Sequence, residues 1–226
     1  AAALARRPEF LGRIVNAAAR DPVLYPAAVT AVATHRPTPD GYASLRRIQA
    51  PSPNAARTGL LAIARTLAVG DVLEVAQTIE TDPEMRVAVL STVGTAAASP
   101  SERSLINQTK LLLAETQLEL ARPEPALASL AQIVSTSDDI NRRADEARVT
   151  SLLWLNRVDE ARAISVGAET WLSALDLFDQ EPHAAQVATA TLDSFGDVLQ
   201  PEERSRLTAV AQLAASPDGQ STDPGG

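Results

Sequence analysis

Before the C-terminal segment 215–226, five prolines stand directly behind a residue able to cap a helix, and this punctuation constrains the fold more than any other feature of the chain. The pairs are Asp21-Pro22, Thr38-Pro39, Ser52-Pro53, Asp82-Pro83 and Ser99-Pro100. Proline suits the first helical position, where its missing N–H removes a donor that would lack a partner, and the Ser, Thr or Asp before it can accept from an amide one turn in. Ser99 also has Glu102 three residues on, the reciprocal capping-box spacing. Pro123, Pro182 and Pro201 open periodic segments without such a cap. With further breaks at Gly70, at Ser137-Asp138-Asp139 and at Asn156, these starts predict helices over 8–20, 22–35, 39–49, 53–67, 71–81, 83–98, 101–121, 123–135, 139–155, 158–178, 182–198 and 201–214. Gly59, Gly94 and Gly167 fall inside these spans, and strand-like alternation is absent.

Connections this short hold consecutive helices antiparallel and in contact. Starts recur every fifteen to twenty residues or so, which makes a hairpin recur at the spacing of helical repeats. The expected fold is therefore all-α, a stack of αα-hairpins forming a solenoid, with an irregular multi-helix bundle as the alternative. Residues 1–214 read as one helical domain with a sub-boundary near 99–103, and the Ser-, Pro-, Asp- and Gly-rich segment 215–226 as a flexible tail.

Composition excludes several kinds of chemistry. There is no cysteine, which removes disulfides, thiolate metal sites and thiol catalysis. The two histidines, His35 and His183, are far apart and belong to no pairing that would put two ligands on one helical face, so neither a metal nor a cofactor is expected. No Gly-rich phosphate loop occurs, and no apolar run is long enough to cross a membrane, so no membrane insertion is expected. Of the twenty basic residues only Lys110 is a lysine, a bias that points to a GC-rich, bacterial coding sequence, with cytoplasm and periplasm both open. The start Ala1-Ala2-Ala3-Leu4, without Met, reads as a processed chain or a piece of something longer.

Two segments share a pattern: Leu120-Ala121-Arg122-Pro123-Glu124-Pro125-Ala126-Leu127 and Leu155-Asn156-Arg157-Val158-Asp159-Glu160-Ala161-Arg162. Both resemble the inter-helix turn of a tetratricopeptide repeat, in which a Gly or Asn ends the first helix and an Ala five residues later lets the helices approach. Ala126 and Ala161 stand at that Ala position, close to one family period of thirty-four residues apart. Ala114 fits the small residue expected earlier in the first helix. Val149 replaces it in the second unit, and neither unit has the closing Pro. Leu67-Ala68-Val69-Gly70-Asp71-Val72 looks like a degenerate third turn, out of phase with the others. The resemblance spans about 105–170. It implies a groove lined by Gln108, Glu115 and Glu119, then Arg143, Glu146, Thr150 and Trp154, with Trp154 as an anchor or, on the plainer reading, as packing between helices. Trp171 and Phe178, seven apart, read as core.

The remaining constellations favour structure over chemistry. Glu115 and Glu119 share a helical face, Asp138, Asp139, Asp145 and Glu146 form an acidic cluster without the alternating ligands of a calcium loop, and His183 follows Asp179 and Glu181 without a nucleophile. Asp138 and Asp139 are placed to stabilise a helix N-terminus. Arg6, Arg7, Arg13, Arg20, Arg36, Arg46 and Arg47 make the N-terminal fifty residues basic, with Tyr42 one turn before Arg46, but the whole chain carries −8 and the charge of its second half is strongly negative. That balance argues against nucleic acid and favours a basic protein or peptide partner, self-association being compatible with it. The expectation is a non-catalytic helical scaffold binding through a groove near 105–160, or alternatively the helical accessory region of a larger enzyme or membrane-anchored assembly. An enzyme built on helix pairs would need an acid and a base held across a pocket.

Overall fold

The computed structural model describes residues 13, 16–19, 21, 24–35, 38–46, 50–97, 99–178 and 181–213. Among the described residues the chain is all-α, with no strand. Its helices are α1 (Leu24–His35), α2 (Pro39–Arg46), α3 (Pro53–Ala64), α4 (Val69–Gln77), α5 (Pro83–Leu90), α6 (Pro100–Glu119), α7 (Pro123–Leu130), α8 (Asp138–Trp154), α9 (Val158–Arg162), α10 (Ala168–Leu177), α11 (Ala184–Phe195) and α12 (Pro201–Leu213). Of the helix predicted over 8–20, residues 13 and 16–18 are helical and most of the rest lies outside the described residues, as does the tail 215–226.

All five capping residues do what their spacing predicts. Asp21, Thr38, Ser52, Asp82 and Ser99 each accept from the backbone amide three residues on, at Leu24 (3.1 Å), Gly41 (3.2 Å), Ala55 (3.2 Å), Met85 (2.8 Å) and Glu102 (3.1 Å). Each such cap is worth about 1 kcal/mol against alanine. Before α12 the arrangement is inverted: the Glu203 carboxylate reaches back to accept from the Gln200 amide at 2.8 Å, the other half of a capping box. Helix ends have their own device. The hydroxyls of Thr66, Thr78 and Thr92 donate to the carbonyls of Ile63, Val75 and Val89, closing the last turns of α3, α4 and α5.

Several predicted helices are shorter than expected. The span 83–98 ends at Leu90, which leaves Gly94 in a loop. The span 158–178 is cut in two because Gly167 serves as the N-cap of α10 in extended backbone, and α9 keeps five residues.

The chain divides into two compact units, residues 1–121 with 131–136, and residues 122–130 with 137–226. The predicted break near 99–103 falls inside the first, at the start of α6. Each unit has its own core. The first packs Tyr25, Val29, Tyr42, Ile63, Val75, Ile79, Val89, Leu90 and Ile106, and the second packs Val149, Leu153, Trp171, Leu175, Phe178, Val187 and Leu207. Trp171 and Phe178 are thus core residues, with the Trp171 ring edge-on to Phe195 at 5.7 Å.

Within the first unit α1 packs on α3, α2 on α4, α3 on α5 and α4 on α6, besides contacts between neighbours in sequence. In the second, α8 meets α7, α9 and α10. Helix lengths range from 5 residues in α9 to 20 in α6. These are packed bundles rather than a clean solenoid. A solenoid needs each repeat to present the same face to the next, and elements this unequal do not.

Candidate functional site

The two turns carrying the repeat resemblance have the same unusual backbone. Ala121 and Asn156 are the non-glycine residues with positive φ among the described residues, both at 56°. At the second turn the Arg157 amide donates to the Leu152 carbonyl (2.8 Å) and the Asn156 amide to that of Leu153 (3.0 Å), a complete Schellman end. At the first, the Ala121 amide donates to the Leu118 carbonyl at 2.9 Å. Ala126 and Ala161 are both fully buried. The likeness stops at the turns: the first lies at the division between the two units, and the helices flanking the pair do not recur as a periodic hairpin.

The seven residues assigned to a groove fall into both units. In the first, Gln108 and Glu119 are exposed and Glu115 half-buried on α6, on one helical face. Glu119 receives two hydrogen bonds from Arg86 on α5, at 3.1 and 3.2 Å, and the Arg86 Nε also donates to the Ile79 carbonyl at 2.9 Å. This carboxylate is therefore part of a tie between α5 and α6. In the second unit Arg143 is exposed, and Glu146, Thr150 and Trp154 are half-buried along one face of α8. Trp154 packs against Phe178 with ring centroids 5.8 Å apart.

The acidic cluster on α8 is engaged by its own helix. Arg142 bridges Asp139 and Glu146, each at 2.8 Å, and Arg148 pairs with Asp145. Asp138 and Asp139 lie in the first turn, where the helix dipole favours negative charge. On the short α9, Arg157 donates to both oxygens of Glu160 and holds that carboxyl below its usual range. No group of three or more His, Asp or Glu placed to hold a metal occurs among the described residues, and no helix there is long and apolar enough to cross a membrane. Of the seven arginines in the basic N-terminal stripe, Arg13 and Arg46 are described and the other five lie outside the described residues.

Three buried polar arrangements escape sequence reading. Asn107, 2% exposed, donates to the Val134 carbonyl at 2.8 Å and accepts from the Val134 amide at 3.1 Å, pinning the segment that follows α7 to the middle of α6. Lys110 buries its ammonium against the Val93 carbonyl. His183 stacks on Phe178 at 5.2 Å and keeps its Nε2 buried without a hydrogen-bond partner among the described residues. Each depends on a residue far away in sequence or on ring stacking, so no local spacing announces it.

The first unit also contains a cavity of about 470 Å³ between α2 and α4. One wall is the α2 face Pro39, Tyr42, Ala43 and Arg46, the other is Glu74, Val75 and Thr78 of α4, and Asp40 stands at the rim. Arg46 reaches the Thr78 carbonyl at 3.4 Å, closing one end. Tyr42 is 1% exposed, and its hydroxyl has no hydrogen-bond partner among the described residues. Burial pushes that hydroxyl's pKa up to about 12, Asp82 adding to the rise and Arg46 opposing it.

No family model matches the chain, and comparison with curated proteins and with solved structures gives no match.

Proposed function

We propose that this chain is a non-catalytic helical accessory region of a larger assembly, whether that assembly is an enzyme or is anchored at a membrane. The observation that carries this reading is the use made of the charged side chains. Most of the carboxylates that spacing could have offered to chemistry are tied up in ion pairs: Asp139 and Glu146 with Arg142, Asp145 with Arg148 and Glu119 with Arg86. A general acid or base must instead face a substrate with its proton available. The net charge of −8 favours a basic partner surface.

The narrower version, a peptide-binding surface within 105–160, rests on α8, where Arg143, Glu146, Thr150 and Trp154 share one helical face. It is tested separately. If that face binds, replacing Arg143 and Trp154 together by alanine lowers partner affinity while the helical circular dichroism is kept.

The accessory reading is tested by native mass spectrometry on the protein isolated gently from its source cells. The expected result is a stoichiometric complex heavier than the chain itself. A lone monomer under those conditions, or substrate turnover by the purified chain that disappears when a carboxylate is replaced, would overturn it.

A further inference from the structure

Most described arginines near a carboxylate are paired, yet around the α2–α4 cavity hydrogen-bonding capacity is left over. Among the described residues Arg46 makes one long contact, to Thr78, and it has four further N–H donors. Glu74 is exposed and makes no ion pair or hydrogen bond among the described residues. The Tyr42 ring packs between them, its hydroxyl shut away from both solvent and the cavity. All three residues line the same cavity, whose volume of about 470 Å³ lies in the range of small-molecule sites. Asp40, at the rim, is already engaged.

We propose that the cavity between α2 and α4 binds a small zwitterion of amino-acid or dipeptide size, its carboxylate held by Arg46 and its ammonium by Glu74, against a wall formed by Tyr42. A guanidinium recognises a carboxylate through a planar pair of N–H donors, and a carboxylate accepts the three donors of an ammonium. Opposite charges on the two walls select a ligand carrying both, and reject a simple anion or cation by leaving one wall charge facing it. The apolar parts of Pro39, Ala43 and Val75 leave room for an aliphatic side chain. The site stands apart from the accessory role proposed above and holds or fails without it.

Isothermal titration calorimetry decides it with four probes: L-alanine, L-alanyl-L-leucine, N-acetyl-L-alanine, which lacks the ammonium, and L-alaninamide, which lacks the carboxylate. The zwitterions are expected to bind, and the two blocked compounds to bind at least about tenfold more weakly, the scale set by one lost charged hydrogen bond. Arg46→Gln and Glu74→Gln should each weaken the zwitterions by a similar factor. Tyr42→Phe, which deletes a hydroxyl the ligand does not reach, should leave zwitterion affinity unchanged, so that weakening confined to the two charge variants separates charge recognition from a damaged cavity. No heat from either zwitterion, equal binding of the blocked compounds, or affinity unchanged in both charge variants overturns the proposal.

Discussion

The Lys110 ammonium donates to the Val93 carbonyl oxygen at 2.9 Å, and in its buried position this is the one acceptor it has among the described residues. Three donors against one acceptor leave the ammonium poorly solvated, and burial lowers its pKa from the ordinary 10.5. Arg103, two turns earlier on α6, donates to the Thr95 carbonyl at 2.9 Å, so two cations on one face of α6 hold the loop after α5.

Lys110→Met should be neutral or stabilising by about 1 kcal/mol at neutral pH, because a well-packed apolar chain replaces a costly buried charge. The sign with pH follows from the depressed folded pKa. Between that value and 10.5 the unfolded state binds more protons, so the lysine's contribution makes stability rise with pH. Chemical denaturation of both proteins across that interval should show the wild-type curve climbing relative to the variant. A constant difference would mean that the ammonium is solvated.

Tyr42 has the opposite sign. Its folded pKa of about 12 stands above the ordinary 10.0, so its neutral form contributes stability that is complete below 10 and lost as pH rises toward 12. The full span corresponds to roughly 2 to 3 kcal/mol. Tyr42→Phe should remove this alkaline slope and add about 1 kcal/mol at neutral pH, since it deletes a buried hydroxyl without a partner among the described residues. Urea titrations in the two pH ranges check both effects.

Ala121 and Asn156 hold the same φ of 56°, but only asparagine tolerates it readily. Ala121→Gly should therefore stabilise the protein by about 1 kcal/mol. Asn156→Ala should destabilise it by a similar or larger amount, about 1 to 2 kcal/mol, because the strain is joined by loss of the 2.8 Å hydrogen bond from Asn156 to Gln186. Opposite shifts in melting temperature are the expected readout.

Gly59 lies in the interior of α3, where alanine would ordinarily gain up to about 1 kcal/mol. A Cβ there would come within 3.0 Å of Val29 Cγ2 on α1, and Val29 is buried with a stiff side chain. Gly59→Ala should destabilise, and adding Val29→Ala should recover the loss, with a coupling energy of about 1 kcal/mol in a double-mutant cycle. Additive effects would show that α1 and α3 can part.

The sequence by itself determined where five of the helices begin. A cap and a following proline act through a bond spanning three residues, so Asp21, Thr38, Ser52, Asp82 and Ser99 could be read without any tertiary knowledge. The all-α class follows from the same local signals, and so does the left-handed end at Asn156.

Tertiary structure decided how those helices pack. The near-repeat of two turns predicted a regular stack, but α7 and α9 are too short to sustain one, and the chain divides at the first of the turns. Likewise, the α2–α4 cavity, the Asn107–Val134 clamp and the Lys110–Val93 contact join residues seventeen or more positions apart, and spacing along one helix carries no information about them. Helix starts are fixed by hydrogen bonds within a turn. Which faces meet is fixed by how side chains of distant segments fill shared volume, and that is settled only when the whole core closes.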